Sequence, residues 1–143
     1  MSAITDQTVT TSTFVVHAHC LMSGSRNPNS LGLVFHLEDD GSVRASFQAH
    51  DGLQGYDGIM HGGFIAALLD SAMTNCLFLN GARALTGELK VRYRKPVPSD
   101  ALLDLHAWIV SSGSRLFVLE SELRCSGEVM AAARAKFMLT HLA

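Results

Sequence analysis

Charge is what this sequence has least of. Asp, Glu, Lys and Arg make up 17% of its 143 residues and hydrophobic residues 48%, where an ordinary soluble protein carries about 25% charged residues. Thirteen acids against eleven bases leave a net charge of −2, so no general basic footprint for nucleic acid is present. A long hydrophobic run is also missing. The most apolar stretch, Gly62 to Leu69, meets Asp70 well short of the ~20 residues a membrane span requires, and the N-terminus lacks the basic start of a signal peptide. Cysteine is sparse and odd in number: Cys20, Cys76 and Cys125, with no CxxC. That excludes a disulfide framework and points to reduced thiols in a cytoplasmic setting. His17 and His19 lie two apart, but neither an HExxH motif nor a Cys/His cluster accompanies them, so no metal and no cofactor is expected. With no low-complexity segment to suggest disorder, the length fits one compact domain. So few charges cannot cover its surface, and a partner subunit, most simply a second copy, is expected to cover the rest.

What is present divides into strands and one helix. Residues 1–16 are rich in Ser and Thr and read as a loose lead-in to a domain over 17–143. An apolar run from Leu33 to Leu37 ends at Asp39-Asp40-Gly41, a hairpin turn of the Asp-Gly kind. Val43, Ala45, Phe47 and Ala49 then alternate with Arg44, Ser46 and Gln48, the pattern of a half-buried strand. Gly62 to Leu79 has no proline, is rich in Ala and Leu, and stops at Asn80-Gly81: a helix. Its apolar residues fall all round, so it is expected to be buried on every side. Only strand signals follow. Glu88 to Arg94 alternate up to Pro96-Val97-Pro98; Leu103 to Ile109 alternate up to Ser111-Ser112-Gly113; residues 115–124 and 129–139 hinge at Ser126-Gly127. These four strands are expected to form an antiparallel meander. One helix among strands in so short a chain requires a curved sheet wrapped around it. The sheet covers one side of the helix and a neighbouring subunit the other.

His61-Gly62-Gly63 opens the helix, and Asp70 is its only charge. An unpaired buried carboxylate is costly, so Asp70 either caps something or is retained for chemistry. The N–H groups of a helix's first turn are unpaired and carry partial positive charge. Glycines there let a substrate oxygen approach closely enough to form an oxyanion hole, although Gly-Gly serves equally well as a helix start. Gly63 and Asp70 are about 10 Å apart along a helix at 1.5 Å per residue, too far for one carbonyl to use both. Two antiparallel copies of the helix would bring Asp70 of one chain to Gly63 of the other.

The segment MHGGFIAALLDSAM, Gly58 ahead of it, and the strand Leu89-Lys90-Val91-Arg92-Tyr93-Arg94-Lys95-Pro96-Val97-Pro98 resemble the hotdog-fold acyl-CoA thioesterases of the phenylacetyl-CoA thioesterase-like (PaaI-type) group. Cys20-Leu21-Met22-Ser23-Gly24 with Asn27-Pro28 and Leu31-Gly32-Leu33 is similar to an N-terminal element of some members, with Ser23 where they carry a second Cys. The resemblance spans about residues 20–140. It implies an α+β hotdog fold, a curved antiparallel sheet around one central helix, and hydrolysis of an acyl-CoA to free acid and CoA in a homodimer or homotetramer.

By the same resemblance Asp70 is the general base or nucleophile and the Gly63 N–H, with Gly62 beside it, the oxyanion donor. His61 would be a positioning residue, and Thr86 would orient the attacking water. Some relatives place an Asn near position 55; here Gly55 stands there, with Gln54 as the candidate contact. Five of the eleven basic residues lie between Arg83 and Lys95. Of these, Lys90, Arg92 and Arg94 share a strand face that would suit the phosphates of CoA, or is simply solvated. A non-catalytic acyl-CoA binder on the same fold is the alternative. A dehydratase does not fit the His61-to-Asp70 spacing.

Overall fold

The computed structural model describes residues 17–140, so the lead-in expected over residues 1–16 lies outside the described residues. The elements are β1 (His36–Leu37), β2 (Val43–Gln48), a 3-10 turn (Asp51–Leu53), α1 (Gly62–Leu79), β3 (Ala84–Tyr93), β4 (Leu102–Ser112), β5 (Leu116–Cys125) and β6 (Glu128–Leu139). The strands form one antiparallel sheet in the order β1-β2-β4-β5-β6-β3. The alternation in β2 is as expected, with Val43, Ala45 and Phe47 buried and Arg44, Ser46 and Gln48 exposed. The Asp-Gly turn closes the first hairpin, with Gly41 at φ +86° and Glu38 N–H donating to Ser42 O at 2.8 Å.

Two expectations change. The apolar run 33–37 contributes only the two residues of β1. The four strands after the helix are not a simple meander: β4, β5 and β6 are, but β3 pairs with β6 and lies at the far edge from β1. Alternation tells which face a residue occupies, and it does not tell which strand is its neighbour.

Helix α1 lies across the inner face of this sheet. His61 caps its start, and Asn80 closes its end by donating from Nδ2 to Cys76 O at 2.7 Å and to Gly41 O at 2.9 Å. Its 18 residues are long and apolar enough by composition to cross a membrane. In this fold Ile65, Leu68, Leu69, Ala72, Met73, Cys76 and Leu77 pack into the core against Leu103, Leu105, Leu119, Leu123 and Phe137. Ser121 Oγ donates to Leu69 O at 3.1 Å and ties helix to sheet. Within one chain the sheet covers one side of the helix, as expected, and burial on the other side is incomplete. Ala66, Ala67, Asp70 and Thr74 are half-buried and Gly63 is exposed, and at 100° per residue these fall on one face. The sheet encloses the helix from behind and leaves that face open.

The β3 edge is apolar as well as unpaired. Among the described residues its only partner is β6, and Leu85, Leu89 and Tyr93 are 56%, 37% and 51% exposed. A register shift between Thr86 and Glu88 leaves Gly87 without a partner on β6, a bulge that inverts the alternation upstream of it.

Candidate active site

The start of α1 is organised by His61. Its backbone N–H donates to Leu53 O at 2.8 Å and its carbonyl accepts from Phe64 and Ile65. Its Nδ1 accepts from Gly63 N–H at 2.9 Å, which leaves the ring proton on Nε2. Space for this return of the ring is tight. A Cβ at Gly63 would sit 3.0 Å from His61 Cε1, and one at Gly55 would sit 3.3 Å from His61 Cα. The Gly63 N–H, singled out from the sequence as the oxyanion donor, is therefore already capped. One residue earlier, among the described residues no group accepts from Gly62 N–H.

Tyr93 closes the other side of this turn. Its hydroxyl donates to Gly62 O at 2.7 Å, and its ring lies where a Cβ at Gly62 would meet Cε1 at 3.6 Å. In the sequence Tyr93 belongs to the Tyr-x-x-Pro end of the strand that carries the resemblance, with no role assigned to it. Its place two residues before Lys95-Pro96, where β3 ends beside the helix start, was the available signal.

Asp70 and Thr86 meet. Thr86 Oγ1 donates to Asp70 Oδ1 at 2.6 Å, the length of a charge-assisted O–H···O⁻ bond. The bulge makes this contact. Counting back from Arg92, Lys90 and Glu88, strict alternation would put Thr86 on the face away from the helix. The extra residue at Gly87 places Thr86 opposite Phe137 instead, on the helix side. Asp70 is half-buried rather than enclosed, and its partner is a hydroxyl. Within one chain Asp70 is about 12 Å from Gly62 along the helix axis, so a chain does not bring its own acid to its own open N–H.

The remaining candidates lie apart from that pair. Gln54 Oε1 accepts from Gly58 N–H at 2.9 Å and so braces its own loop. Arg92 and Arg94, with Lys90 and Arg134, line a hollow of about 460 Å³ on the outer face of the sheet. Of these, Arg134 is held by Glu120 at 3.0 Å.

Other titratable groups have structural causes. Burial, helped by the charge of Asp40, pushes the Cys76 thiol up to about 11, so it is not a thiolate nucleophile at neutral pH. Burial first, then Arg83, holds His17 below its ordinary value. Burial and Arg44 do the same for His106 against the opposing pull of Glu122 and Asp40, and the buried His106 Nε2 has no partner. Among the described residues no group of three or more His, Cys, Asp or Glu is placed to hold a metal ion.

Comparison with known proteins identifies the family and the fold. The family model of the thioesterase superfamily matches residues 57–132, just over half of the chain, from the loop before His61 through most of β6's first half. Acyl-coenzyme A thioesterase THEM4 of Bos taurus is 26% identical over 96 residues, covering 67% of this chain and 39% of that protein. This chain thus spans about two fifths of the length of that relative. A phenylacetic acid degradation-related protein from Ralstonia eutropha JMP134 superposes with a TM-score of 0.71 at 25% identity, over 85% of this chain and 97% of that one. A protein from Streptococcus mutans UA159, solved with acetyl-CoA bound, has the same fold with a TM-score of 0.71 at 21% identity, over 76% of this chain and 88% of that one. The curved sheet around one helix is the hotdog fold.

Proposed function

Given that the chain belongs to the thioesterase superfamily, we propose that it hydrolyses an acyl-CoA thioester to the free acid and CoA, at a site shared by two copies of the chain. The observation that carries this reading is the 2.6 Å bond from Thr86 to Asp70. It fixes one carboxylate oxygen and leaves the other to take a proton from water. The named relatives, one an acyl-CoA thioesterase and another with acetyl-CoA bound, supply the substrate class.

The substrate carbonyl oxygen rests on the Gly62 N–H, where the helix dipole and an unpaired donor favour developing negative charge. His61 and Tyr93 are positioning residues. They hold Gly63 N–H and Gly62 O respectively and so aim the donor between them. Asp70 of the second copy acts as general base. Water oxygen bonds to the carbonyl carbon, its proton passes to the carboxylate, and the carbonyl oxygen takes the negative charge. Collapse of that intermediate breaks the carbon–sulfur bond, and the leaving thiolate recovers the proton from Asp70. Lys90, Arg92 and Arg94 meet the phosphates of CoA along the strand that ends at Tyr93. Gln54, with its carbonyl engaged by Gly58, has only its amide N–H groups to offer the thioester.

Two features support the second copy. One is the open face of α1 that carries Asp70, and the other is the apolar ten-residue edge of β3, a strand whose free N–H and C=O groups suit pairing with its own copy. A homodimer is the smallest assembly that completes the site, and a homotetramer would contain two such dimers.

The test is thiol release from a panel of short, long and aryl acyl-CoAs, comparing the native chain with Asp70→Asn. A positioned general base contributes about 10²–10⁴ in rate, so the variant is expected to lose at least ~100-fold in kcat while remaining dimeric. An Asp70→Asn protein with native turnover would overturn the mechanism. A native protein that binds CoA esters and releases no thiol from any of them would be the non-catalytic binder instead.

A further inference from the structure

We propose that a hollow beside the start of α1, walled by the segment that precedes the matched family region, holds the acyl group and admits only uncharged, apolar ones. The assignment rests on the thioesterase reading and names its substrate class. The hollow has a volume of about 420 Å³, within the ordinary range for small-molecule sites. Its floor is Phe47 of β2, Leu53 of the 3-10 turn and Phe64 of α1, and Leu21 and Leu31 form the wall. Phe64 stands two residues after Gly62. Leu53, which also lines it, accepts from His61 N–H at 2.8 Å, so the hollow borders the turn that carries the Gly62 N–H.

The lining argues for the chemistry of the occupant. No Asp, Glu, Lys or Arg lines the hollow. Three of its four polar side chains are engaged: Ser30 Oγ accepts from Gly32 N–H at 3.1 Å, Gln48 Nε2 donates to Asp100 O at 2.8 Å, and His50 Nδ1 accepts from Gly52 N–H at 3.2 Å; Asn29 is the fourth. A carboxylate or ammonium on the acyl chain would find no counter-charge there and would lose its water. The outer hollow with Lys90, Arg92, Arg94 and Arg134 has the opposite character, which sends the anionic half of the ester away from the apolar one.

The wall is built to keep its shape. Leu31 N–H donates to Leu21 O at 2.9 Å and Leu33 N–H to Met22 O at 3.0 Å, so the two wall residues are held opposite each other by backbone. Both precede residue 57, where the family match begins. Acyl selectivity thus belongs to a part of the chain separate from the segment that carries His61 and Asp70.

The experiment is calorimetric titration of the full chain with CoA and with non-hydrolysable thioether analogues of acetyl-, butyryl-, hexanoyl-, octanoyl- and succinyl-CoA. Two variants are compared with the native protein: Leu31→Trp, which fills the hollow, and Leu31→Ala, which enlarges it. Each methylene buried contributes about 0.8 kcal/mol, so native affinity should rise about fourfold per CH2 until the hollow is full, with no gain for the succinyl analogue. Leu31→Trp is expected to weaken the octanoyl analogue at least ~10-fold and leave CoA itself within ~2-fold. Leu31→Ala should extend the rise to longer chains and decides the matter if the tryptophan variant does not fold. Native affinity independent of chain length, or a rise that both variants leave in place, overturns the assignment. Thiol release from the parent thioesters reads hydrolysis separately, so its failure leaves the acyl assignment decided by the titration alone.

Discussion

Replacing Thr86 by Val tests the Asp70 carboxylate at its one hydrogen bond among the described residues. The two side chains are nearly the same size, and Thr86 lies exposed in β3, so no cavity is left and any loss of folding stability should not exceed that of the one bond removed. What is lost is the 2.6 Å bond to Asp70 Oδ1. Hydrogen bonds to charged groups contribute about 1.5–3 kcal/mol, and the short O–H···O⁻ geometry belongs to the stronger kind. If that energy orients the carboxylate in the transition state, kcat falls roughly 10- to 150-fold at 1.4 kcal/mol per decade. The KM for acyl-CoA should change little, since Thr86 is not placed against the substrate. Thr86→Ser keeps the hydroxyl and should stay within about threefold of native. The assay is continuous thiol release under saturating substrate, with the melting temperature of each variant as control. A Thr86→Val enzyme within twofold of native kcat, at unchanged melting temperature, would refute the idea that the bond positions the base.

Further expectations follow from other parts of the molecule. A Cβ at Gly24 would lie 2.5 Å from Cys20 N and 2.6 Å from Ala18 O and Cys20 O. These are backbone atoms with no flexible end to yield, so Gly24→Ala should lower stability by about 1–3 kcal/mol, read as a lower urea midpoint. Leu89→Lys puts a charge on the apolar β3 edge, which blocks strand pairing; sedimentation should show a monomer with little turnover, and an active dimer would contradict the shared site. His17 and His106 are both held below their ordinary value near 6.5, so the unfolded chain binds more protons than the native one just below that pH. Their contribution to stability is present above about pH 6.5 and declines as pH falls through the lowered native values. Urea midpoints from pH 7.5 to 5 should therefore decrease, and His106→Gln should flatten the decline.

Much of this architecture is legible in residue order, and the exceptions share a cause. The helix could be bounded because Asn80-Gly81 stops it and no proline interrupts Gly62 to Leu79; the strand faces could be read because Val43, Ala45 and Phe47 alternate cleanly. What depends on a neighbour could not be read. The place of β3 beside β6 is set by pairing across the sheet, which the period of β3 does not encode. That one side of α1 stays uncovered by its own sheet could be expected, but which side could not, because Ala66 and Ala67 are apolar whether covered or not. His61, Gly62, Gly63, Asp70 and Thr86 are all singled out by motif and resemblance, and the structure brings Thr86 to Asp70 and His61 to Gly63. That Gly63 N–H is capped while Gly62 N–H stays open could not be read, because it turns on an imidazole folding back onto one N–H.

The bulge at Gly87 has a consequence for how the protein can change. It splits one strand into two phases, Ala84–Thr86 and Glu88–Tyr93, each with its own inside and outside. Removing that single residue would rotate the first phase by half a turn, carrying Thr86 away from Asp70 and bringing Leu85 in, while Lys90 and Arg92 keep their outward direction. The half that carries Thr86 and the half that carries Lys90 and Arg92 are therefore separately adjustable on the same piece of backbone. Substitutions in one can accumulate without resetting the other.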